Sequence, residues 1–349
     1  MREQPQPAGP AGQHLVELFQ RAAREYADRP AVADDARTIS YAQLDARSTV
    51  LARALVRRGV RRGDRVAVYR QRGVDVFVAL LGILKAGAAY VAIDVRYPDA
   101  RRDLMLHGSG ATLVVTEPGW RDRFDGLAVE PVEWHSEDVT EPVAGSGIPL
   151  CPTDMACVLF TSGSSGVPKA ITLEHRNLVH LARNSMLAPL SPTDRFGQVA
   201  SLSFDTFHIE AWCSLTSGAA VVVLPTMPEL VAGDVQRQLR RRRVTALVAP
   251  TMAVNHVVHE DREAFSSLRV LYTGGDVLEP AAARTLLSGG FRGEFYNLYG
   301  PTEATTCCTT HHVAEVPEGC DNIPIGRELD GATVYVLDPD LNPVGDGEL

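Results

Sequence analysis

No apolar run in the 349-residue sequence approaches the roughly 20 residues that cross a bilayer. The polar, proline-rich opening MREQPQPAGPAGQ lacks the apolar core of a secretory signal. The six cysteines (151, 157, 213, 307, 308 and 320) have no paired small-domain spacing, which argues against a disulfide frame and for reduced thiols. There is no excess of positive charge either. With 34 basic and 43 acidic residues the net charge is −9, which argues against nucleic acid or an anionic membrane as the main partner. Internal repeats are absent, and no low-complexity block follows the N-terminus. A cytoplasmic protein is expected.

What is present is ordinary for a soluble globular chain: 45% apolar and 22% charged residues. The length suits one large α/β body or two to three domains. The basic residues are arginine-heavy and clustered, as in RALVRRGVRRGDR and QRQLRRRRV. Each cluster sits on or just after a leucine-spaced helical pattern, where it reads as a solvated face near a helix C-terminus.

Strand and helix patterns alternate along the chain. HLVELFQRAAREYADRPAV reads as a helix broken at Pro30, and RTISYAQLDARSTVLARALVRRG as a short strand and a helix closed by Gly59. DRVAVYR, AAYVAIDV and ATLVVTE read as strands, with VDVFVALLGILKAG a buried helix between the first two. Glu117 to Thr153 is loop-rich, a seam between lobes. The pattern resumes with MACVLFT, a helix from about Glu174, then FGQVASLSF, AAVVVLP, VTALVAP, RVLYTGG and GEFYNLYG. Strands separated by helices of ten or more residues imply mostly parallel sheets covered by helices. From Ile323 the turn spacing changes to that of β-hairpins.

The stretch LFTSGSSGVPKAITLEH, Leu159 to His175, follows an apolar strand pattern and precedes a helical one. Strand, Gly/Ser/Thr loop, lysine and helix is a recipe for holding phosphate: glycines let backbone N–H groups converge, hydroxyls add donors and lysine adds charge. No GxxxxGK[ST] is present, so it is not a P-loop. On composition alone a plain polar loop remains the alternative.

FTSGSSGVPKA resembles the phosphate-loop signature of the adenylate-forming superfamily, and companion motifs follow the same order. ISYAQLDARSTVLARAL, LKAGAAYVAIDVRYPDAR, FDTFHIEAW and NLYGPTEATTC resemble the first, second, fourth and fifth core motifs of amino-acid adenylation domains of nonribosomal peptide synthetases. The closing GEL resembles the start of the sixth, and the likeness runs from about residue 14 to the last. Two departures stand inside the motifs: Ala170 where the family usually has glycine, and Ala92 where it usually has proline.

The resemblance implies a fold of two helix-covered, mostly parallel sheets plus the start of a small β-barrel subdomain. Residues 1–13 are then a flexible N-terminus, 14–322 the adenylation core and 323–349 an incomplete barrel. The family's mobile C-terminal domain, with a lysine that bridges carboxylate and phosphate, is absent. Losing one such donor commonly lowers the rate about a hundred- to a thousandfold, so a truncated, poorly active core is expected.

The implied reaction joins a carboxylate to ATP, giving an acyl-adenylate and pyrophosphate, with ATP and Mg²⁺ required. Thr161, Ser162, Gly163, Ser164, Ser165, Gly166 and Lys169 would embrace the β- and γ-phosphates. Tyr299 would stack on adenine, Asn297 would meet its amino group, Thr302 would donate to the α-phosphate, and Glu303 would hold Mg²⁺ through oxygen. Gly274, Gly275, Asp276 and Gly300 would complete the nucleotide side. Asp205 would pair with the α-ammonium of an amino acid, and Phe204 would gate the pocket. Thr206, Ile209, Leu247, Tyr272, Gly274, Leu298, Thr306 and Cys307 would line the side-chain pocket with Asp205; no second charge stands there, which suggests a neutral, medium-sized substrate. The implied partner is a phosphopantetheine carrier domain, and the resemblance also admits an MbtH-like protein; neither nucleic acid nor membrane is implied.

Two other readings stay open: an acyl- or aryl-CoA ligase, and a non-catalytic nucleotide-binding or interaction module. The sequence CCTTHH places Cys307 and Cys308 four residues before His311 and His312, a zinc-like spacing on a helix. The segment is rich in β-branched residues and the family has a strand there, where side chains alternate faces, so no metal site is expected.

Overall fold

The computed structural model describes residues 13–135, 147–161 and 168–345. The runs read as strands all become strands, in two sheets, while the equally apolar stretch 76–81 lies in the helix Val74–Lys85. The six-stranded sheet runs, edge to edge, through Glu130–Glu133, Leu113–Thr116, Arg65–Tyr69, Ala89–Ala92, Met155–Thr161 and Lys169–Glu174. Its neighbours are parallel except for the last pair, an antiparallel hairpin.

The nine-stranded sheet runs through Arg327–Glu328, Thr309–His312, Glu294–Tyr299, Val270–Gly274, Ala246–Pro250, Arg195–Gln198, Ala220–Val223, Pro30–Ala33 and Thr38–Ser40. The six strands from Glu294–Tyr299 to Pro30–Ala33 are parallel. Their carboxyl ends therefore share one edge, the side on which open α/β sheets bind ligands.

The helices behave as their patterns imply. Ser40 and Gln43 form a capping box that starts Tyr41–Arg57. Val74–Lys85 is buried along nearly its whole length. Its last residue, Lys85, is satisfied by Asp45 Oδ1 at 2.7 Å and Ser48 Oγ at 2.8 Å. These helices and Leu15–Glu25 join one apolar cluster that contains Val66, Val68 and Tyr90 of the smaller sheet and Val32 and Val221 of the larger. The two lobes share a core.

Four short strands were not foreseen: Pro30–Ala33, Glu130–Glu133, Lys169–Glu174 and Arg327–Glu328. All are edge or next-to-edge strands with partly exposed sequences, so the apolar-run signal is weak. After Ile323 the chain stays packed through the buried Leu329. Beyond it, Leu337 and Pro343 pair as an antiparallel bridge, and Tyr335 and Val336 are exposed.

Candidate functional site

Asp205 sits where the loop after Arg195–Gln198 turns into helix. Buried Glu210 holds the loop's start, accepting from Val199 N at 3.0 Å and Ala200 N at 3.1 Å. Ser201 Oγ donates to Asp94 Oδ2 at 2.6 Å and Ser203 Oγ to the Ala92 carbonyl at 2.8 Å, so the smaller sheet fixes the loop's middle. A π-turn, Ile209–Cys213, follows directly, a form frequent at functional sites. Phe204, beside Asp205, is 57% exposed.

The Asp205 carboxylate accepts from Thr302 Oγ1 at 2.5 Å, and its backbone oxygen from Thr306 Oγ1 at 2.9 Å. Burial raises the Asp205 carboxyl above its ordinary value; the Thr302 hydrogen bond opposes that, and the Glu303 charge adds to it. Glu303 is itself exposed, on the 3-10 turn Thr302–Ala304. Thr305 and Thr306 follow at φ 61° and 76°. Left-handed backbone is costly for β-branched residues, and at Thr306 it accompanies the hydroxyl's bond to Asp205.

Tyr299, at the end of its strand, is 53% exposed, unlike an aromatic core residue. Gly274 and Gly300 leave no room for a side chain. A Cβ at the first would lie 2.6 Å from the Leu298 oxygen, and at the second 2.6 Å from Cys307 Cα. Gly275 takes φ +89°. Asp276 is exposed and accepts from Val277 N at 2.7 Å. Asn297 is buried, and its amide nitrogen donates to the Pro324 oxygen at 2.9 Å, which orients the side-chain oxygen.

Lys169 is exposed and opens its strand opposite Thr161. That strand lies against the Thr302–Ala304 turn, so the strand that Lys169 opens adjoins the YGPTE segment. Ser162, Gly163, Ser164, Ser165 and Gly166 lie outside the described residues. Ala170 is exposed opposite Phe160.

Of the expected side-chain pocket, Ile209, Tyr272, Leu298 and Cys307 fall in one apolar cluster, with Thr206 partly buried one residue past Asp205. Leu247 is a correction. It pairs with Leu271 and packs in the opposite cluster, toward Leu224 and Val244. Its neighbour Val248 pairs with Tyr272 and faces the pocket. Side chains alternate along a strand, so a one-residue slip changes the face.

Sequence reasoning also missed Glu210 as the clamp on the loop, although an acid inside an apolar helical pattern was a signal. The CCTTHH segment leads into the strand Thr309–His312, and His312 stacks on Tyr296 with ring centroids 4.9 Å apart. Among the described residues no group of three or more His, Cys, Asp or Glu could hold a metal ion. No described helix is long and apolar enough to cross a membrane.

The sequence matches the family described as AMP-binding enzyme over residues 19–349. It is 33% identical to Malpibaldin synthetase of Mortierella alpina, across 97% of this chain and 6% of that protein. It is 32% identical to Bacitracin synthase 2 of Bacillus licheniformis, across 95% of this chain and 12% of that protein. The chain thus spans a small part of the curated relatives it matches. The fold resembles holo-PA1221, described as an NRPS protein containing adenylation and PCP domains bound to vinylsulfonamide inhibitor. That likeness has a TM-score of 0.86 and 27% identity, covering 97% of this chain and 58% of that one. The N-terminal subdomain of Klebsiella oxytoca NpsA aligns with a TM-score of 0.84 and 25% identity over 97% of this chain and 85% of that one. With this match along nearly its whole length, the chain is a member of the AMP-binding enzyme family, the adenylate-forming ligases to which the adenylation domains of nonribosomal peptide synthetases belong.

Proposed function

We propose that the chain activates an α-amino acid with Mg-ATP and that the aminoacyl group then passes to the phosphopantetheine thiol of a carrier domain. An oxygen of the amino-acid carboxylate bonds to the α-phosphorus as the bond from that phosphorus to the pyrophosphate oxygen breaks. The protein's part is positioning and preset electrostatics. The observation that carries the reading is Asp205: its partly buried carboxylate accepts from Thr302 and its backbone oxygen from Thr306, both on the segment that bears Glu303.

In this reading Asp205 pairs with the substrate ammonium. A buried carboxylate left without a cation is costly, so neutral acids lacking the ammonium bind poorly. Lys169, Thr161 and the hydroxyls of 162–165 bind the β- and γ-phosphates, Thr302 the α-phosphate, and Glu303 the Mg²⁺. Exposed Tyr299 stacks on the base, beside backbone that Gly274 and Gly275 let lie flat. Asn297 offers its side-chain oxygen to the adenine amino group. Barrel residues from 323 onward and an MbtH-like partner belong to the same reading.

The test is amino-acid-dependent ATP–pyrophosphate exchange and Mg-ATP calorimetry, with Asp205→Ala alongside. Exchange with simple carboxylic acids that survives Asp205→Ala favours a CoA-ligase-type enzyme instead. Absence of any Mg-ATP binding favours a non-catalytic module.

A further inference from the structure

Behind Ile209 and Tyr272 lies a cavity of about 390 Å³ whose walls include Phe196, Cys213 and Leu187. Ile209 and Cys213 stand roughly one and two turns beyond Asp205, so the cavity continues the line from the carboxylate along the helix. Phe196 and Tyr272 form a stacked aromatic wall, with centroids 6.4 Å apart and an interplanar angle of 9°. Its one charged lining residue, Arg183, donates to the Thr216 oxygen at 3.4 Å.

The outer wall is fixed in place. Ala188 O accepts from the Tyr272 hydroxyl at 3.3 Å, and Asn184 Nδ2 donates to the Asp330 oxygen at 3.2 Å. Protein interiors hold few voids larger than a water molecule, whereas pockets for small ligands begin near 300 Å³. A held space of this size next to the substrate pocket, with its one charged lining residue exposed to solvent, has the character of a binding site.

We propose that this cavity is the distal part of the acyl pocket and that the substrate is an α-amino acid with a large uncharged side chain, aromatic or long aliphatic. This rests on the adenylation reading and replaces the medium-sized substrate expected from the sequence. The side chain enters between Ile209 and Tyr272, and the aromatic wall receives it.

The test is calorimetry of the chain with non-hydrolysable aminoacyl-sulfamoyl adenosines bearing alanyl, valyl, phenylalanyl, tryptophanyl and 2-aminodecanoyl groups. The dissociation constant should fall at least tenfold from the alanyl compound to the best of the three large ones. Ala188→Phe and, at the exposed rim, Ser185→Phe narrow the cavity and should shrink that ratio toward one. Reading a ratio removes any general loss of folded protein. Alanyl or valyl compounds binding as well as the large ones, or a ratio unmoved by both variants, overturn the cavity proposal and leave the adenylation reading standing. Failure of every compound to bind overturns both.

Discussion

The Thr302 hydroxyl donates to the Asp205 carboxylate at 2.5 Å, joining two segments 97 residues apart. Both are assigned to ligands here, one to the substrate ammonium and one to the α-phosphate. An ammonium that takes over Asp205 frees the Thr302 hydroxyl for phosphate. Amino acid and Mg-ATP should therefore bind with positive coupling, each tightening the other by the same factor. Thr302→Val should abolish that coupling, read as equal Mg-ATP affinities with and without saturating amino acid.

Burial holds the Asp205 carboxyl above its ordinary value, and only its ionised form pairs with an ammonium. Amino-acid affinity should fall with acid at a higher pH than for an ordinary carboxylate. Thr302→Val, by removing a donor to the charged form, should move that acid limb higher still. Titrations of amino acid from pH 4 to 8 check both shifts.

Lys169 is exposed at the start of its strand, so its removal should leave the fold intact. Lys169→Met should lower exchange by about a hundred- to a thousandfold, the scale for losing one charge-stabilising donor. The melting temperature should stay unchanged.

Leu247 and Val248 face opposite sides of one strand. Leu247→Ala should cost about 2–5 kcal/mol of stability as a core truncation and leave the rank order of amino acids alone. Val248→Phe should change that order. Urea unfolding and a competition panel separate the two effects.

Two buried histidines resist protonation: burial lowers His175 to about 4 and His208 to about 3. Neither Nδ1 has a partner among the described residues. Their native values lie below the ordinary 6.5, so on acidification the unfolded chain takes up protons first. Their stabilisation is present above pH 6.5 and lost as pH falls through the native values, on the order of 3 kcal/mol for His175 and about 5 kcal/mol for His208. Glu210, raised by burial from 4.5 to about 7, acts in the opposite sense. Its contribution is present below pH 4.5 and lost as pH rises through about 7. Glu210→Gln should therefore make the urea midpoint fall more steeply between pH 7 and 4.5.

The strands that carry the crevice were legible because parallel, buried strands are continuous apolar runs. AAVVVLP and RVLYTGG are short, rich in β-branched or aromatic residues and bounded by Gly or Pro, which favours strand over buried helix. The motif residues were legible by resemblance; Asp205 accepts from Thr302, and the strand that Lys169 opens lies against the Thr302–Ala304 turn. Which face a residue takes was not legible in VTALVAP, since an apolar run buried on both sides carries no alternation to fix the register. Leu247 was misplaced for that reason. The edge strands Glu130–Glu133 and Lys169–Glu174 were missed because neighbours rather than their own composition define them.

The strands Pro30–Ala33 and Thr38–Ser40 close one edge of the nine-stranded sheet, although more than 150 residues separate them from its other members. The two lobes are thus woven together by their connectivity. A graft that swaps only the later lobe between homologous family members would seat Val221 against the recipient's N-terminal strand instead of Val32, so that border must be repacked across unmatched sequences. Recombination here has to carry the N-terminal forty residues with the rest.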